Sequence, residues 1–109
     1  MELQVVSDQP LAPAQRRLVE QRVRDATRRM AHVVRRAVVR LRDVNGPKGG
    51  VDQQCLIELS PEQGGTLVVV QRAGHWRASL EKALDRAVQS LQRQHRQRRP
   101  RSTPVAGWA

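Results

Sequence analysis

The sequence contains little of what several common classes of protein require. It has no Phe and no Tyr, and two Trp residues are its only aromatic side chains. Any core must therefore be aliphatic, built mostly from Val, Leu and Ala. Its one cysteine, Cys55, excludes an intramolecular disulfide and a cysteine-rich zinc site. The three histidines show no metal-ligand spacing among themselves, so we expect no metal and no cofactor.

Long apolar runs and a leader peptide are also missing. No apolar run approaches the roughly 18 residues that cross a bilayer, so we expect no membrane-spanning segment. Residues Met1–Pro10 lack the basic and apolar regions of a secretory signal, and a reducing cytoplasm is the expected compartment. The chain shows no catalytic constellation of nucleophile, base and orienting group. We therefore expect neither an enzyme nor a small-molecule substrate.

Acidic residues are scarce relative to basic ones. Lys and Arg together number 20 against 10 Asp and Glu, which gives a formal net charge of +10 and a pI near 11.7. Such a balance favours a polyanionic partner, either a nucleic acid or an anionic membrane surface. Arg far outnumbers Lys, and its planar guanidinium suits phosphate because it donates two parallel hydrogen bonds.

The 109 residues are enough for one domain with one modest core. Hydrophobic periodicity predicts a strand, a helix, three antiparallel strands and a second helix. The predicted elements are Glu2–Val6, Pro13–Val33, Arg35–Arg42, Val51–Leu59, Thr66–Gln71 and His75–Arg99. Each helix has one apolar stripe and a sheet offers one apolar face, so we predict an α+β fold with both helices on one face of a four-stranded sheet. The first two strands, joined by a helix, would be parallel neighbours.

The ends of this arrangement are predicted from proline and glycine. Residues 1–99 form the domain, and residues 100–109 form a short disordered tail because two prolines and a glycine argue against regular structure. The segment Asp43–Gly50 is a hairpin loop with Lys48 near its tip. Nucleotide binding is not predicted there, since Gly49 stands where a phosphate-binding loop needs Ser or Thr. A solvated lysine and a lysine that contacts RNA both stay open.

Both predicted helices carry cations opposite their apolar stripes. In the first helix Arg17, Arg24 and Arg28 face away from the stripe, and in the second Lys82, Arg86 and Arg93 do so, with Arg96 beside them. With both helices on one sheet face, these basic sides point into solvent together. They are candidates for phosphate contacts that give affinity without base specificity. A solvated helix surface is the alternative.

Two buried side chains are also predicted. Cys55 shares its strand face with Ile57 and Leu59, which favours a structural cysteine over a nucleophile. Trp76 lies on the apolar stripe of the second helix and is predicted to be core. Trp108 lies in the predicted tail.

The hairpin Arg40–Cys55 and the helical segment Leu80–Val88 carry a resemblance to a known family. Over about Glu2–Arg99 the chain resembles the short form of the bacterial ribosome hibernation promoting factors, the family of ribosome-associated inhibitor A and the sigma modulation proteins. The resemblance implies the order β-α-β-β-β-α, similar to a double-stranded RNA-binding domain with an extra N-terminal strand. The chain departs from the family's usual pattern at Met30, where aromatic residues are usual, and at His75, where an acidic residue is usual.

The resemblance implies a partner and a mechanism. The partner is the small ribosomal subunit with its ribosomal RNA, and the mechanism is to block the messenger and transfer RNA channel of idle ribosomes, a form of translation inhibition under stress. Arg22, Lys82 and Arg86 match the family's basic helix positions, and Lys48 matches its loop lysine. The candidate RNA-binding residues are Arg17, Arg22, Arg24, Arg28, Arg40, Lys48, Lys82, Arg86, Arg93 and Arg96. A general RNA- or DNA-binding module is the alternative, and the oligomeric state stays open.

Overall fold

The computed structural model describes the backbone of residues 1–44 and 52–108 and the side chains of these ranges up to residue 96. Its strands are β1 (Glu2–Ser7), β2 (Val34–Asp43), β3 (Gln53–Pro61) and β4 (Leu67–Ala73), and its α-helices are α1 (Pro13–Ala26) and α2 (Trp76–Trp108). The predicted α+β class and the order β-α-β-β-β-α are confirmed. The predicted loop tip with Lys48 lies outside the described residues.

The strands form one sheet in the order β1-β2-β3-β4. The pair β1 and β2 is parallel, as predicted, and the pairs β2–β3 and β3–β4 are antiparallel. A parallel pair needs a crossover connection, which α1 supplies, whereas antiparallel neighbours can be joined by hairpins. The ladder between β2 and β3 shifts register between Val34 and Arg36, where β2 enters the sheet.

Both helices cover the same face of the sheet. In the middle of β2 and β3 the inward side chains are aliphatic apart from one thiol, and none of these six is more than 4% exposed: Ala37, Val39, Leu41, Cys55, Ile57 and Leu59. Helix α1 packs against β1, and α2 packs against β3 and β4. Adjacent side chains in a strand alternate between faces, and none of the described helices packs on the opposite side of the sheet. We call that opposite side the outer face.

Helix α1 is shorter than the sequence predicts. It ends at Ala26 and is followed by a 3₁₀ turn, Arg28–Met30, whereas the apolar stripe suggested a helix to Val33. The buried Thr27 marks the end, because its hydroxyl donates to the Val23 carbonyl at 2.7 Å while its φ of −100° and ψ of 9° leave the helical region. Met30 lies in the 3₁₀ turn and its side chain is buried, so the spacing of buried apolar residues continues beyond the end of the α-helix.

Helix α2 begins at Trp76, one residue later than predicted, and extends to Trp108 rather than Arg99. At its start the His75 ring nitrogen Nδ1 accepts the backbone N–H of Arg77 at 3.2 Å, which satisfies one otherwise free donor of the first turn. The helical backbone of α2 thus includes residues 100–108, where the sequence predicts a disordered tail. It does so although Pro100 and Pro104 lack the backbone N–H that a helix uses. The division of the chain at residue 99 stays a prediction.

Candidate nucleic-acid interface

The first group of candidate residues lies on and just after α1. Arg17 and Arg24 are exposed on the side of the helix that faces away from the buried Val19 and Val23. They are separated by two helical turns. Arg28 follows in the 3₁₀ turn, where its side chain is 78% exposed and pairs with Asp25 at 3.0 Å. We call Arg17, Arg24 and Arg28 the α1 basic surface.

The second group lies along α2. Lys82, Arg86, Arg93 and Arg96 are all exposed, while Leu80, Ala83, Leu84, Ala87 and Leu91 on the same helix are buried. Spacings of four, seven and three residues keep these cations near one side of a helix with 3.6 residues per turn. We call these four residues the α2 basic surface.

Arg22 differs from the other candidates because it joins the two helices. Its Nε donates to Oε2 of Glu81 at 2.8 Å and its Nη2 donates to Oε1 at 2.7 Å. Such a two-pronged contact matches the flat guanidinium to the flat carboxylate. The side chains of both partners are 35% exposed, so the pair lies at the rim between α1 and α2. Two of the donors of Arg22 are thus already engaged within the protein.

The ion pair changes the protonation equilibrium of both partners. The hydrogen bond from Arg22 lowers the pKa of Glu81, and the positive charges of Arg22 and Arg77 act in the same direction. The hydrogen bond to Glu81 raises the pKa of Arg22, and its carboxylate charge together with those of Asp25 and Asp85 adds to the effect. Glu81 is therefore an ionised partner of Arg22 at neutral pH.

These acids separate the two basic surfaces. Glu81 faces α1 through its contact with Arg22, and Asp85 lies one turn further along α2. Arg86 follows Glu81 by five residues, which turns it about 140° away around the helix axis. The candidate interface is therefore two cationic surfaces with a strip of paired and acidic side chains between them, rather than one continuous basic patch.

Arg40 lies apart from the other described candidates. It is exposed on β2 and shares its parity with Arg36, Val38 and Arg42, so it belongs to the outer face, opposite the helices. Arg72 on β4 belongs to the same face, since the ladder places it across from Gln54 and Gln54 across from Arg42. Because the helices cover the face that carries Ala37, Val39 and Leu41, Arg40 lies on the other side of the sheet from them.

The outer face is also partly apolar. Val38 is only 4% exposed there, whereas Val68 and Val70 of β4 are 53% and 44% exposed. No aromatic side chain belongs to this sheet, because the chain has only two Trp and both lie in α2. The outer face therefore lacks the aromatic platforms on which nucleic-acid bases stack.

The remaining candidate chemistries find little support in the described part of the chain. Burial raises the pKa of the Cys55 thiol to about 12, so the thiol is held neutral, and Cys55 is confirmed as a core residue. Within residues 1–44 and 52–108 no group of three or more His, Cys, Asp or Glu side chains could hold a metal ion. None of the helices in these ranges is long and apolar enough to cross a membrane.

These features define a class of protein: an α+β domain whose mixed four-stranded sheet is covered on one face by two helices with basic solvent sides. No protein-family model matches the chain, and no curated protein does. Solved structures, in contrast, do match it.

Two of these structures cover nearly the whole domain. The crystal structure of the Thermus thermophilus Protein Y N-terminal domain matches with a TM-score of 0.69 and 19% identity, over 85% of this chain and 98% of that one. A ribosomal subunit interface protein from Coxiella burnetii matches with a TM-score of 0.72 and 11% identity, over 87% of this chain and 98% of that one. Both belong to the hibernation promoting factor and sigma modulation family, so the resemblance predicted from the sequence is confirmed as a likeness of fold.

Proposed function

We propose that this protein binds the small ribosomal subunit through its α1 and α2 basic surfaces and blocks the channel of messenger and transfer RNA. Translation by idle ribosomes would thereby be inhibited, as in ribosome hibernation, and the protein would act in the cytoplasm. One observation carries the proposal. Over most of its length the chain has the fold of a ribosomal subunit interface protein, and the solvent sides of both its helices carry exposed cations.

The mechanism is steric and electrostatic, with no chemical step. Arg and Lys side chains on the two basic surfaces contact phosphates and release counterions from the RNA, which supplies affinity without base readout. The bound domain then occupies space that messenger or transfer RNA needs. The Arg22–Glu81 pair contributes by fixing α1 against α2, so that the two basic surfaces keep one spacing.

The proposal is tested by co-sedimentation of the purified protein with small subunits, large subunits and whole ribosomes across a salt series. We expect saturation near one copy per small subunit, which persists at physiological salt. Messenger or transfer RNA, added in excess, should displace the protein. Binding to both subunits that does not saturate and disappears with modest salt would contradict the proposal.

A pair of charge-reversal variants tests which surface binds. We expect Lys82→Glu with Arg86→Glu to weaken small-subunit binding at least tenfold and to reduce the slope of log affinity against log salt by about two, one for each lost phosphate contact. The matched control is Arg36→Glu with Arg42→Glu, which makes the same change in net charge on the outer face. The control should bind within about twofold of the wild type and keep the same salt slope, because the proposed interface makes no phosphate contacts through the outer face.

An equal effect of the two double variants would contradict binding through the α2 basic surface. If both double variants lose affinity equally while circular dichroism shows that both are folded, the net charge matters and the helix surfaces do not. Nonspecific attraction is measured separately, by co-sedimentation of the wild-type protein with large subunits across the same salt series.

A general RNA- or DNA-binding module is the second candidate, and one observation favours it. Cations lie on the outer face as well as on the helices, with Arg36, Arg40, Arg42 and Arg72 opposite the two basic surfaces. A protein that wraps or bridges polyanions without specificity could use both faces. It would bind free duplex RNA as tightly as ribosomes, whereas the ribosome proposal expects duplex RNA to compete poorly.

A further inference from the structure

Strand β4 is an edge strand with few of the usual protections against further pairing. Among residues 1–44 and 52–108 it pairs with β3 on one side and ends the sheet on the other. Natural edges are commonly blunted by proline, lysine or a bulge, because their free N–H and C=O groups can pair with another strand. The sequence of β4 is LVVVQRA, which contains no proline and no lysine, and its ladder with β3 is regular.

The side chains of β4 are also incompletely covered. Val68 is 53% exposed and Val70 is 44% exposed on the outer face, and Leu67 and Val69 on the inner face are only partly buried. Ile57 on β3, the cross-strand neighbour of Val69, is by contrast 0% exposed. A further strand beside β4 would cover apolar surface on both faces of the sheet, whereas a ligand on the outer face alone would cover only one.

The distribution of charge along this segment suits a second copy of the same chain. Residues 63–71 carry no charge, although 28% of the whole chain is charged. Within β4 the one charged residue is Arg72, which follows this run. Antiparallel pairing of two identical strands keeps the two Arg72 side chains at opposite ends of the contact, whereas parallel pairing would place these like charges side by side.

We propose that β4 pairs antiparallel with β4 of a second copy, so that two sheets join into one across a two-fold axis. Centred on Val69, this pairing sets Val68 of each copy opposite Val70 of the other and covers the two most exposed valines. The contact is isologous and therefore closes at the dimer. This inference goes beyond the proposed function and does not depend on it.

Repulsion between the copies determines how the dimer responds to salt. Each chain carries a formal charge of +10, and Arg93 of the α2 basic surface lines a cleft with Gly65, Thr66 and Leu67 at the start of β4. The dimer therefore brings like charges near each other, and salt screens them. Dimerisation should strengthen as salt rises, in contrast to binding of a polyanion, which weakens.

Sedimentation equilibrium of nuclease-treated protein tests the proposal over a range of protein concentrations at low and high salt. We expect a reversible monomer–dimer equilibrium with a dimer fraction that rises severalfold between low and high salt. A monomer at every concentration and salt would overturn the proposal. Open-ended association to large species would also overturn it, because an isologous contact closes at two copies.

A matched pair of lysine substitutions locates the contact. Val70→Lys places a charge on the exposed side of β4, and we expect it to weaken dimerisation at least tenfold while the fold is kept. Val6→Lys is the control, because Val6 lies on the same outer face but on β1, at the opposite edge of the sheet. Equal effects of the two variants, or wild-type dimerisation by Val70→Lys, would exclude pairing through β4.

Cysteine cross-linking tests the register without relying on a disruptive change. Cys55 is buried and 0% exposed, so only the introduced thiols are accessible to form a disulfide between two copies. We expect an equimolar mixture of Val68→Cys and Val70→Cys proteins to form disulfide-linked dimers severalfold faster than either protein by itself. Cross-linking at equal rates in all three samples would contradict the pairing centred on Val69.

Discussion

Arg22 shows at the scale of a residue why composition and position do not settle a role. The sequence places it among the basic helix positions, yet the folded chain pairs it with Glu81, 59 residues away. The chain has twice as many basic as acidic residues, and this guanidinium donates two hydrogen bonds to one carboxylate. Its contribution to RNA binding stays a prediction, while its link between the helices is visible.

A double-mutant cycle should measure that link. We expect Arg22→Gln and Glu81→Gln to show a coupling of about 0.5–1 kcal/mol in urea unfolding at neutral pH, modest because the partners are partly exposed to solvent. The coupling should disappear in acid. The pKa of Glu81 is lowered in the folded protein, so its contribution is present above the ordinary pKa of the carboxyl and is lost as the pH falls through the lowered value.

The control for this cycle is the pair Arg28 and Asp25, whose side chains are 78% and 39% exposed. Its coupling should be close to zero, because solvent screens an exposed pair and the side chains lose entropy when held together. A coupling at Arg22–Glu81 that is no larger than the control would show that the ion pair does not hold the helices together.

Cys55 is the second residue with a defined role. Its side chain is 0% exposed within the core, so Cys55→Ala removes buried volume, and we expect a loss of about 1–2 kcal/mol in the free energy of unfolding. Small-subunit binding should be unchanged for the folded variant. A Cys55→Ala protein that is folded and as stable as the wild type but fails to bind would show that the thiol belongs to the binding surface.

The thiol adds a pH dependence of known sign. Burial raises its pKa from 9.0 to about 12, so the wild type should lose stability as the pH rises from 9.0 toward 12, where the unfolded chain ionises first. Cys55→Ala should lack this component when urea midpoints of the two proteins are compared across that range.

At the scale of an element, α2 depends on small residues where it meets the sheet. Ala83 and Ala87 are 0% exposed, between Leu80, Leu84 and Leu91, and they allow the helix axis to lie close to β3 and β4. The same helix carries the α2 basic surface on its solvent side. The distance of those cations from the sheet therefore depends on two alanine side chains that are buried beneath the helix.

Overpacking should reveal this dependence. We expect Ala87→Leu to destabilise the protein by about 1–3 kcal/mol, because the three added carbon atoms have no space unless the helix moves. Ala78→Leu is the matched control on an exposed position of α2, where leucine suits a helix and the change should stay within about 0.5 kcal/mol. Equal stability of the two variants in urea unfolding would contradict close packing at Ala87.

At the scale of the whole molecule, charge opposes the compact state. The formal charge is +10, and the salt bridges found among the described side chains are Arg22–Glu81 and Arg28–Asp25. Self-repulsion of this size destabilises a folded chain, and salt reduces it. We therefore expect the urea midpoint of unfolding to rise between low and moderate sodium chloride.

Protein concentration must be kept low in that measurement, so that self-association through β4 does not add to the effect. The Val70→Lys variant is the appropriate second sample, because it should show the same trend without dimerisation. A midpoint that falls with salt would mean that attractive ion pairs outweigh the net repulsion.

Local patterns determined much of this protein. Periods of two and 3.6 residues predicted the order of the elements, the parallel first pair of strands, the burial of Cys55 and the solvent side of each helix. These succeed because alternation in a strand and the pitch of a helix are properties of the backbone itself. The resemblance in the hairpin and in α2 added the fold family, which the solved structures support.

Tertiary structure alone decided the rest. The apolar stripe that predicted α1 continues beyond the end of the helix, because Met30 is buried in the core from a 3₁₀ turn. The spacing of apolar residues indicates which side chains are buried, but it does not distinguish an α-helix from a 3₁₀ turn. The partner of Arg22 and the position of β4 at the edge of the described sheet both depend on which elements become neighbours. Periodicity shows which side of an element is apolar, but only packing between distant segments determines what covers it and what is left open to a partner.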